Sequence, residues 1–327
     1  MNTLGNHSQL FIQALNIFVE TINQKNPKEL YEPMQYIISL GGKRMRPLLA
    51  YLGNDLFNGN HSDAHPAALA VELFHNFSLV HDDIMDNAPL RRGKATVHEK
   101  WNTNIAILSG DGLLVKAYEE LIKAKSEYVR DLIELFNKTA LEVCEGQQLD
   151  MNFEKINEVS TEEYLHMITL KTAVLLGAAL KMGAITANAP KKDADNLYEF
   201  GKNIGIAFQL QDDILDVFGN PAKFGKQVGG DIISNKKTWL LIEALKQANG
   251  NLKETLNNWI NQKEFNPAEK VFAIKSIYEK LNIRQQAEKE MNMFYQLALK
   301  HLSEINANED KKQNLRDFAQ ALMNREI

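Results

Sequence analysis

Apolar residues recur at intervals of three and four along most of the chain, which is the spacing of helices with one buried face. Between residues 6 and 22, for example, Leu15, Phe18 and Ile22 lie along one stripe of a helix. The same spacing predicts further helices over residues 47–56, 67–85, 111–122, 128–148, 161–182, 193–218, 237–247, 252–262, 267–281, 284–302 and 310–324. The sequence shows no repeated alternation of apolar and polar residues between hairpin turns, so we expect almost no β-structure.

Short turn-forming segments separate these helices, at residues 58–60, 87–96, 188–190, 219–234 and 249–251. None of them is a long low-complexity linker, and 327 residues suit one large domain as well as two average ones. We therefore predict a single all-α domain over residues 1–327, in which long helices bundle around a central cavity.

The charge and cysteine content exclude several classes of protein. The formal net charge is −5, whereas nucleic-acid-binding proteins usually show a basic excess. Cys144 is the only cysteine, so no intrachain disulfide forms, and its helical surroundings without a paired base favour a buried structural role. The first twenty residues lack the basic start of a secretory signal, and no apolar run approaches the roughly 20 residues of a membrane span. We expect a cytoplasmic protein that does not span a membrane.

Two aspartate triads with identical spacing are the strongest chemical signal. They are the first cluster, Asp82, Asp83 and Asp86, and the second cluster, Asp212, Asp213 and Asp216. On a helix each triad falls within an arc of about 100° on one face. Three close carboxylates repel one another unless a cation lies among them, and Mg²⁺ prefers oxygen ligands while keeping positions for water and phosphate. The alternatives are a solvated acidic helix end and calcium storage, although an EF-hand's glycine turn and loop ligands are missing.

Basic residues accompany both clusters. They lie in residues 41–47 (GGKRMRP), in residues 91–94 (RRGK), and at Lys223, Lys226, Lys236 and Lys237. Each basic run alone is typical of plain surface, but beside the aspartates they indicate a site for a metal-bridged polyanion, because Arg and Lys both bind phosphate oxygens. His75 lies about 20° from Asp82 on the same helix face; a lone histidine there is otherwise an interior residue. The glycine-rich segment 219–234 is either a lid over the polyanion or a surface loop.

These segments resemble the motifs of the trans-type isoprenyl diphosphate synthases, in the same order along nearly the whole chain. The matching segments are GGKRMRP, LVHDDIMD, LRRGKATVH, GDGLL, GQQLDM, LKTAVLL, FQLQDDILD, FGKQVGGD and NKKTW. Two DDxxD motifs at this separation are highly specific. The resemblance implies an all-α enzyme, usually a homodimer, that joins isopentenyl diphosphate to an allylic diphosphate such as dimethylallyl, geranyl or farnesyl diphosphate.

The resemblance also implies a role for individual residues. The ligands of three Mg²⁺ ions would be Asp82, Asp86 and Asp212, supported by Asp83, Asp213 and Asp216. The allylic substrate would be held by Arg91, Lys171, Gln209, Lys226 and Lys236, with Thr172 near the reacting carbons. Isopentenyl diphosphate would be held by Lys43, Arg46, His75 and Arg92.

Product length is expected to depend on residues one to two helical turns before Asp82. In the family, a large residue five positions before the first aspartate tends to block the product tunnel, and a small residue beside it permits some extension. Phe77 and Ser78 therefore imply a C20 product, with a C15 product as the alternative, and Phe74 would form a second barrier.

Three other classes remain to be weighed. A terpene cyclase on the same fold would normally carry an Asn/Ser/Glu triad in place of the second cluster. A non-catalytic partner subunit would have lost an aspartate motif or the basic ligands. A bare helical scaffold leaves the paired clusters unexplained.

Overall fold

Helices make up most of the computed structural model, which describes residues 2–219 and 229–324. In chain order they are α1 (Asn2–Asn23), α2 (Lys28–Ser39), α3 (Met45–Leu56), α4 (His61–Met85), α5 (Val97–Lys100), α6 (Thr103–Leu121), α7 (Ser126–Phe153), α8 (Thr161–Ile168), α9 (Val174–Thr186), α10 (Lys191–Phe218), α11 (Gly230–Ile233), α12 (Trp239–Gln247), α13 (Gly250–Asn261), α14 (Pro267–Lys280), α15 (Ile283–Ser303) and α16 (Glu309–Met323). A π-helical turn, Thr169–Ala173, joins α8 to α9. The all-α prediction is confirmed.

Among the described residues, each helix predicted from apolar spacing is present, and the helices α2, α5 and α11 were missed. The helix α2 has Pro33 in its interior, which removes one backbone hydrogen bond and masks the helical pattern. It forms nonetheless because Met34, Ile37 and Ile38 are buried along one side. The one-turn helices α5 and α11 are too short for a periodic signal. The part of segment 219–234 that was expected to be loop therefore includes a helical turn.

A small hairpin lies in the turn segment that follows α4. Its strands, β1 (Leu90–Arg91) and β2 (Lys94–Ala95), pair antiparallel. The two residues between them, Arg92 and Gly93, have φ angles of 54° and 73°. Positive φ at both central positions is what a two-residue hairpin turn requires, and it matches the twist of the strands.

The first of two compact units comprises Met1–Leu141, Leu175–Tyr198 and Glu304–Leu315. Within it, α3 and α6 pack against α4, where Ala67, Ala68 and Ala70 are fully buried. Helices α3 and α9 approach closely, because a Cβ built on Gly53 would lie 2.1 Å from the Leu180 carbonyl oxygen. This packing fixes α4, whose C-terminal end carries the first aspartate cluster.

The second unit comprises Glu142–Val174, Glu199–Ser303 and Arg316–Ile327. Its core contains Tyr164, Leu210, Ile214, Trp239 and Tyr278, all of them buried. The two residues Leu210 and Ile214 lie four apart on α10 and so anchor one face of the helix segment that carries the second aspartate cluster. A single domain over residues 1–327 stays a prediction.

One segment, Thr161–Thr186, is long and apolar enough to cross a membrane by length and composition. The expectation that no apolar stretch reaches that length is therefore wrong, because α8, the π turn and α9 run on without a break. The most apolar part of the segment has a mean hydropathy of 1.5 and is 67% buried inside the fold, as in the core helix of a soluble protein.

Cys144 is exposed on α7, so the prediction of a buried structural cysteine is wrong. It lies three residues after Leu141, which is also exposed, whereas the neighbouring Val143 is buried. Residues three apart on a helix share a face. Since α7 carries apolar residues on its outer face as well, the sequence pattern alone misplaces this cysteine.

Candidate active site

The three aspartates of the first cluster differ sharply in exposure. Asp83 is 1% exposed, Asp82 is partly buried and Asp86 is exposed. The helix α4 ends at Met85, yet the Asp86 N–H still bonds the Asp82 carbonyl oxygen at 2.9 Å, so the helical spacing holds through the triad. The two carboxylates predicted to bind metal are therefore the accessible ones, and the predicted supporting carboxylate lies inside.

Arg91 on β1 holds the buried carboxylate of Asp83. Its Nε donates to Oδ1 and Oδ2 at 2.9 and 2.8 Å, and its Nη2 donates to Oδ1 at 2.7 Å. The same Nη2 lies 3.7 Å from Oδ2 of Asp82. Burial raises the pKa of Asp83, an effect that Arg91 opposes and the charge of Asp82 increases. The sequence assigned Arg91 to the allylic substrate and missed its contact with Asp83.

The residues predicted to hold isopentenyl diphosphate come together in the first unit. Nη1 of Arg46 lies 3.2 Å from Nε2 of His75. The guanidinium of Arg92 lies over Gly42, beside Lys43, where a Cβ would come within 2.7 Å of it. Only glycine suits this position, because its φ of 128° is also one that other residues rarely adopt.

The electrostatics of this group favour an anion. Burial lowers the pKa of Arg46 to about 10; the charge of Glu72 opposes the shift and that of Arg92 adds to it. Burial and the neighbouring arginines, Arg46 first, also hold the pKa of His75 well below its usual range, so its imidazole is neutral at pH 7. The positive charges of these residues repel one another, and a phosphate that binds among them offsets this repulsion.

Arg44 has a different task from its basic neighbours. Its guanidinium donates to the buried Glu72 and to the Ile38 carbonyl oxygen. Asn76 also bonds Glu72, with its Nδ2 2.9 Å from Oε1. Arg44 was left without a ligand role at the sequence level, and these contacts give it a structural one.

In the second cluster Asp213 is the buried member, and Asp212 and Asp216 are partly buried. The hydroxyl of Tyr164 donates to Oδ2 of Asp213, and Nε2 of Gln209 lies 3.3 Å from Oδ1. Burial raises the pKa of Asp213 to about 8; the charge of Asp231 adds to the rise, and the bond from Tyr164 opposes it. Neither Tyr164 nor Asp231 was found from the sequence.

Asp216 also contacts the segment that begins at Gly229. Its Oδ2 accepts the N–H of Asp231 at 3.0 Å, and its carbonyl oxygen accepts the N–H of Gly229 at 2.6 Å. Asp231 is thereby held close enough to Asp213 for its negative charge to raise the pKa of the Asp213 carboxyl. The second cluster therefore gains a fourth carboxylate that its spacing in the sequence did not reveal.

The π turn carries Lys171 and Thr172, both predicted to face substrate. Nζ of Lys171 lies 2.6 Å from Oδ2 of Asp150, and Oγ1 of Thr172 lies 3.4 Å from Oε1 of Gln209. The turn packs directly on α7, because a Cβ on Gly146 would lie 2.2 Å from the Lys171 nitrogen. π-Helical turns are rare and often mark functional sites. The Asp150 partner was not predicted.

The lysines that follow the second cluster divide into three groups. Lys236 is exposed, as a substrate ligand should be. Lys237, which received no ligand role, donates to the Phe153 carbonyl oxygen at 2.5 Å and to that of Ile156. Lys223 and Lys226 lie outside the described residues, as does most of the predicted lid, so the role of Lys226 stays a prediction.

The three predicted chain-length residues line one side of α4. Phe74 is buried, and its ring lies 5.5 Å from that of Phe77 and 5.3 Å from that of Phe136 on α7. The ring of Phe77 also lies 4.7 Å from that of His81. Ser78 is partly buried and its hydroxyl bonds the His75 carbonyl oxygen at 2.9 Å. Phe77 and Phe74 thus form an aromatic pair in which the ring planes are tilted by 44°.

Each cluster on its own suits magnesium. Both place one carboxylate inside, fixed by hydrogen bonds, and leave two carboxylates four residues apart on the accessible face. Mg²⁺ binds through one or two carboxylates, with water and phosphate oxygens in its other positions. The donors are all oxygen, which disfavours zinc and copper relative to magnesium.

Comparison with known proteins places this chain in one family. The polyprenyl synthetase family model matches residues 27–281. A geranylgeranyl diphosphate synthase from Methanosarcina mazei is 44% identical over 230 residues, 70% of this chain and 71% of that protein. A short chain isoprenyl diphosphate synthase from Methanothermobacter thermautotrophicus is 40% identical over 257 residues, 78% of each chain. A crystal structure of a geranylgeranyl pyrophosphate synthase matches with a TM-score of 0.93 at 43% identity and covers 100% of both chains.

The all-helical fold and these matches together define an enzyme of the isoprenyl diphosphate synthase class. The chain belongs to the polyprenyl synthetase family. It is a trans-type prenyltransferase, as its motifs predicted.

Proposed function

We propose that this enzyme joins isopentenyl diphosphate to an allylic diphosphate and releases an all-trans C20 prenyl diphosphate and pyrophosphate. The observation that carries the proposal is the shared design of the two clusters, each with one buried, hydrogen-bonded carboxylate and two accessible ones. Such a design presents metal-binding oxygens at fixed positions without leaving three repelling charges exposed. The grouped cations of the first unit supply the second requirement, a place for another diphosphate.

Three Mg²⁺ ions, when bound, would supply positive charge to the departing diphosphate and so favour ionisation of the allylic carbon–oxygen bond. Asp82 and Asp86 would hold metal on α4, and Asp212 would hold metal on α10. Asp83, Asp213 and Asp216 keep these carboxylates in position through the contacts to Arg91, to Tyr164 and to Asp231.

The two substrates are held by different cations. Lys43, Arg46, His75 and Arg92 bind isopentenyl diphosphate. Arg91, Lys171, Gln209, Lys226 and Lys236 bind the allylic diphosphate, and Thr172 lies near the reacting carbons. Neutral His75 donates a hydrogen bond to a phosphate oxygen without adding charge, while Arg46 beside it supplies charge. The isopentenyl double bond attacks the allylic cation, and a proton then passes to the released pyrophosphate.

The aromatic pair Phe77 and Phe74 on α4 supports a C20 length. Ser78 leaves room for a product chain to extend past the level of Asp82, and Phe77 and then Phe74 limit it further along the helix. Ser78 lies about 6 Å below Asp82 along the helix, and Phe74 about 6 Å deeper still. These steps are close to the extension that one five-carbon unit needs.

An apolar stripe on α6 supports a homodimer. Leu108 and Val115 on α6, and Ile122 directly after its end, lie seven residues apart, and each is at least 58% exposed. This spacing places them on one helix face, as at a helix–helix interface. We expect a mass near twice 37.1 kDa in light scattering. Val115→Lys should shift the mass toward one chain, and Ile17→Lys, an equally exposed position on α1, should not; an unchanged dimer in the Val115 variant would overturn this interface.

The test of the reaction is product mass. The purified chain is incubated with isopentenyl diphosphate and dimethylallyl, geranyl or farnesyl diphosphate in turn, with Mg²⁺ or with chelator. A C20 diphosphate that requires Mg²⁺ is expected. A cyclic hydrocarbon would indicate a cyclase, and no product with any starter would indicate a non-catalytic subunit. A cytoplasmic location is proposed from the lone cysteine, and fractionation of the source cells tests it.

A further inference from the structure

A cluster of two histidines and an aspartate lies in the first unit, outside the proposed active site. His7 comes from α1, Asp55 from α3, and His61 is the first residue of α4. Nε2 of His7 lies 2.8 Å from Oδ2 of Asp55, and Nε2 of His61 lies 2.5 Å from Oδ1. The ligand atoms of all three side chains lie within 4.8 Å of one another.

The cluster is remote from the aspartates of the first cluster. His61 and Asp82 are 21 positions apart on α4, which is about 30 Å along a helix. None of the three residues belongs to a motif of the prenyltransferase reaction. The cluster therefore lies well away from the carboxylates proposed to bind magnesium at the other end of α4.

Without a metal ion, both imidazoles donate to one carboxylate. An ionised carboxylate only accepts hydrogen bonds, so each Nε2 turns an N–H toward Asp55. The two Nε2 atoms then lie only 3.4 Å from each other. Their N–H dipoles lie side by side in a partly buried place, where the repulsion between them is poorly screened.

A divalent cation resolves this conflict, because each group then offers it a lone pair. In a tetrahedral zinc site with Zn–N bonds of about 2.0–2.1 Å, neighbouring ligand nitrogens lie about 3.3–3.4 Å apart. The observed 3.4 Å between the Nε2 atoms matches this separation. The 2.8 and 2.5 Å from these nitrogens to Asp55 are hydrogen-bond distances, so the carboxylate must move back when a metal ion enters. We propose that His7, Asp55 and His61 form a binding site for a first-row divalent metal ion, with zinc as the expected occupant.

The surroundings of the cluster define the kind of site. The ring of His7 stacks on Tyr51 at 5.7 Å, which fixes its orientation. The side chains of Asp55 and His61 are 24% and 34% exposed, so metal and a water ligand reach the cluster from that side. Because its ligands come from three helices, the ion ties α1 to α3 and α4 and stabilises the fold.

The affinity should be moderate. Metal-binding histidines usually donate from their second nitrogen to an acceptor, and losing that support costs about 10- to 100-fold in affinity. Among the described residues, Nδ1 of His7 is buried without a hydrogen-bond partner. Nitrogen ligands also select against magnesium, so Mg²⁺ at its working concentration does not fill the site.

The experiment uses the full chain, stripped with chelator and kept free of Mg²⁺. Zn²⁺ alone is titrated by calorimetry, and the thermal midpoint is measured with and without it. With Zn²⁺ at 100 times the dissociation constant, we expect the midpoint to rise by roughly 4 °C. His61→Gln should weaken zinc binding at least tenfold and remove the rise, while Mg²⁺-dependent product formation continues.

His166→Gln is the matched control, because His166 is an exposed helical histidine in the second unit. Zinc bound by the aspartate clusters affects this variant and His61→Gln equally, so only the difference between them reports on the proposed site. Asp55→Asn is a second ligand variant and should behave as His61→Gln does. Equal zinc binding in the His61 and His166 variants, or no stabilisation of the wild-type chain, would overturn the proposal.

Discussion

Replacing Arg91 by alanine should destabilise the fold through one buried carboxylate. Asp83 is 1% exposed and receives three contacts of 2.7 to 2.9 Å from the Arg91 guanidinium. Without that partner the carboxylate stays buried and uncompensated. Removing one member of a buried ion pair costs about 3–5 kcal/mol. Since the Arg91 side chain is itself 21% exposed, water replaces part of the interaction, and we expect a loss near the low end, about 3 kcal/mol.

The pH dependence of this loss makes the prediction sharper. Burial already raises the pKa of Asp83, and removing Arg91 raises it further. A folded-state pKa above the unfolded value favours the protonated folded chain, so stability is lost as pH rises through the folded pKa. The destabilisation by Arg91→Ala should therefore be smaller at pH 5 than at pH 8.

Urea-induced unfolding, followed by circular dichroism at both pH values, measures the effect. Arg91→Lys keeps the charge but loses the planar fork and should fall between wild type and alanine. Arg130 provides the control, because it pairs with Glu134 at 2.9 Å on the open surface and its removal should change little. If Arg91→Ala matched Arg130→Ala, or if Asp83→Asn left the effect of Arg91→Ala unchanged, the buried pair would not be the cause.

Three further outcomes are expected. Arg46→Ala should raise KM for isopentenyl diphosphate about 10- to 100-fold, the worth of a charge-assisted hydrogen bond, with KM for the allylic substrate unchanged in steady-state kinetics. In Mg²⁺-free buffer, protonated Asp213 should stabilise the fold fully below about pH 4, and this stabilisation should be lost as pH rises through about 8. Thermal midpoints measured across that pH range should show the loss, and Asp213→Asn should make the midpoint less dependent on pH. Phe77→Ser should lengthen the product by at least one five-carbon unit and Ser78→Phe should shorten it toward C15; chromatography showing no change in either would place the tunnel floor elsewhere.

The features of this protein that could be predicted from the sequence are those that depend on the spacing of residues close together in the chain. Helix periodicity located the long helices, and the identical i, i+1, i+4 spacing of the aspartates located both clusters. Spacing alone could not predict that Arg46 and His75 lie side by side, because they are 29 residues apart in the sequence. That prediction depended on the resemblance to a family.

The missed residues share a different property. Tyr164 bonds Asp213 across 49 residues of sequence, and Lys171 bonds Asp150 across 21. Tyr164 stands in no motif, and Asp150 lies in the GQQLDM segment without any sign of its partner, so only the packed fold reveals these two contacts. The buried or exposed state of Cys144 was likewise misjudged, because an apolar residue on an outer helix face has the same local pattern as one in the core.

The close contact at Gly146 has a consequence for how relatives of this protein should vary. A Cβ there would collide with the backbone of Lys171, and helices do not yield 1 Å without rearrangement. Substitution at 146 would push α7 off the π turn and pull Asp150 from Lys171. Across related sequences, position 146 should therefore covary with 150 and 171, and a chain with a bulky residue at 146 should also have lost this ion pair.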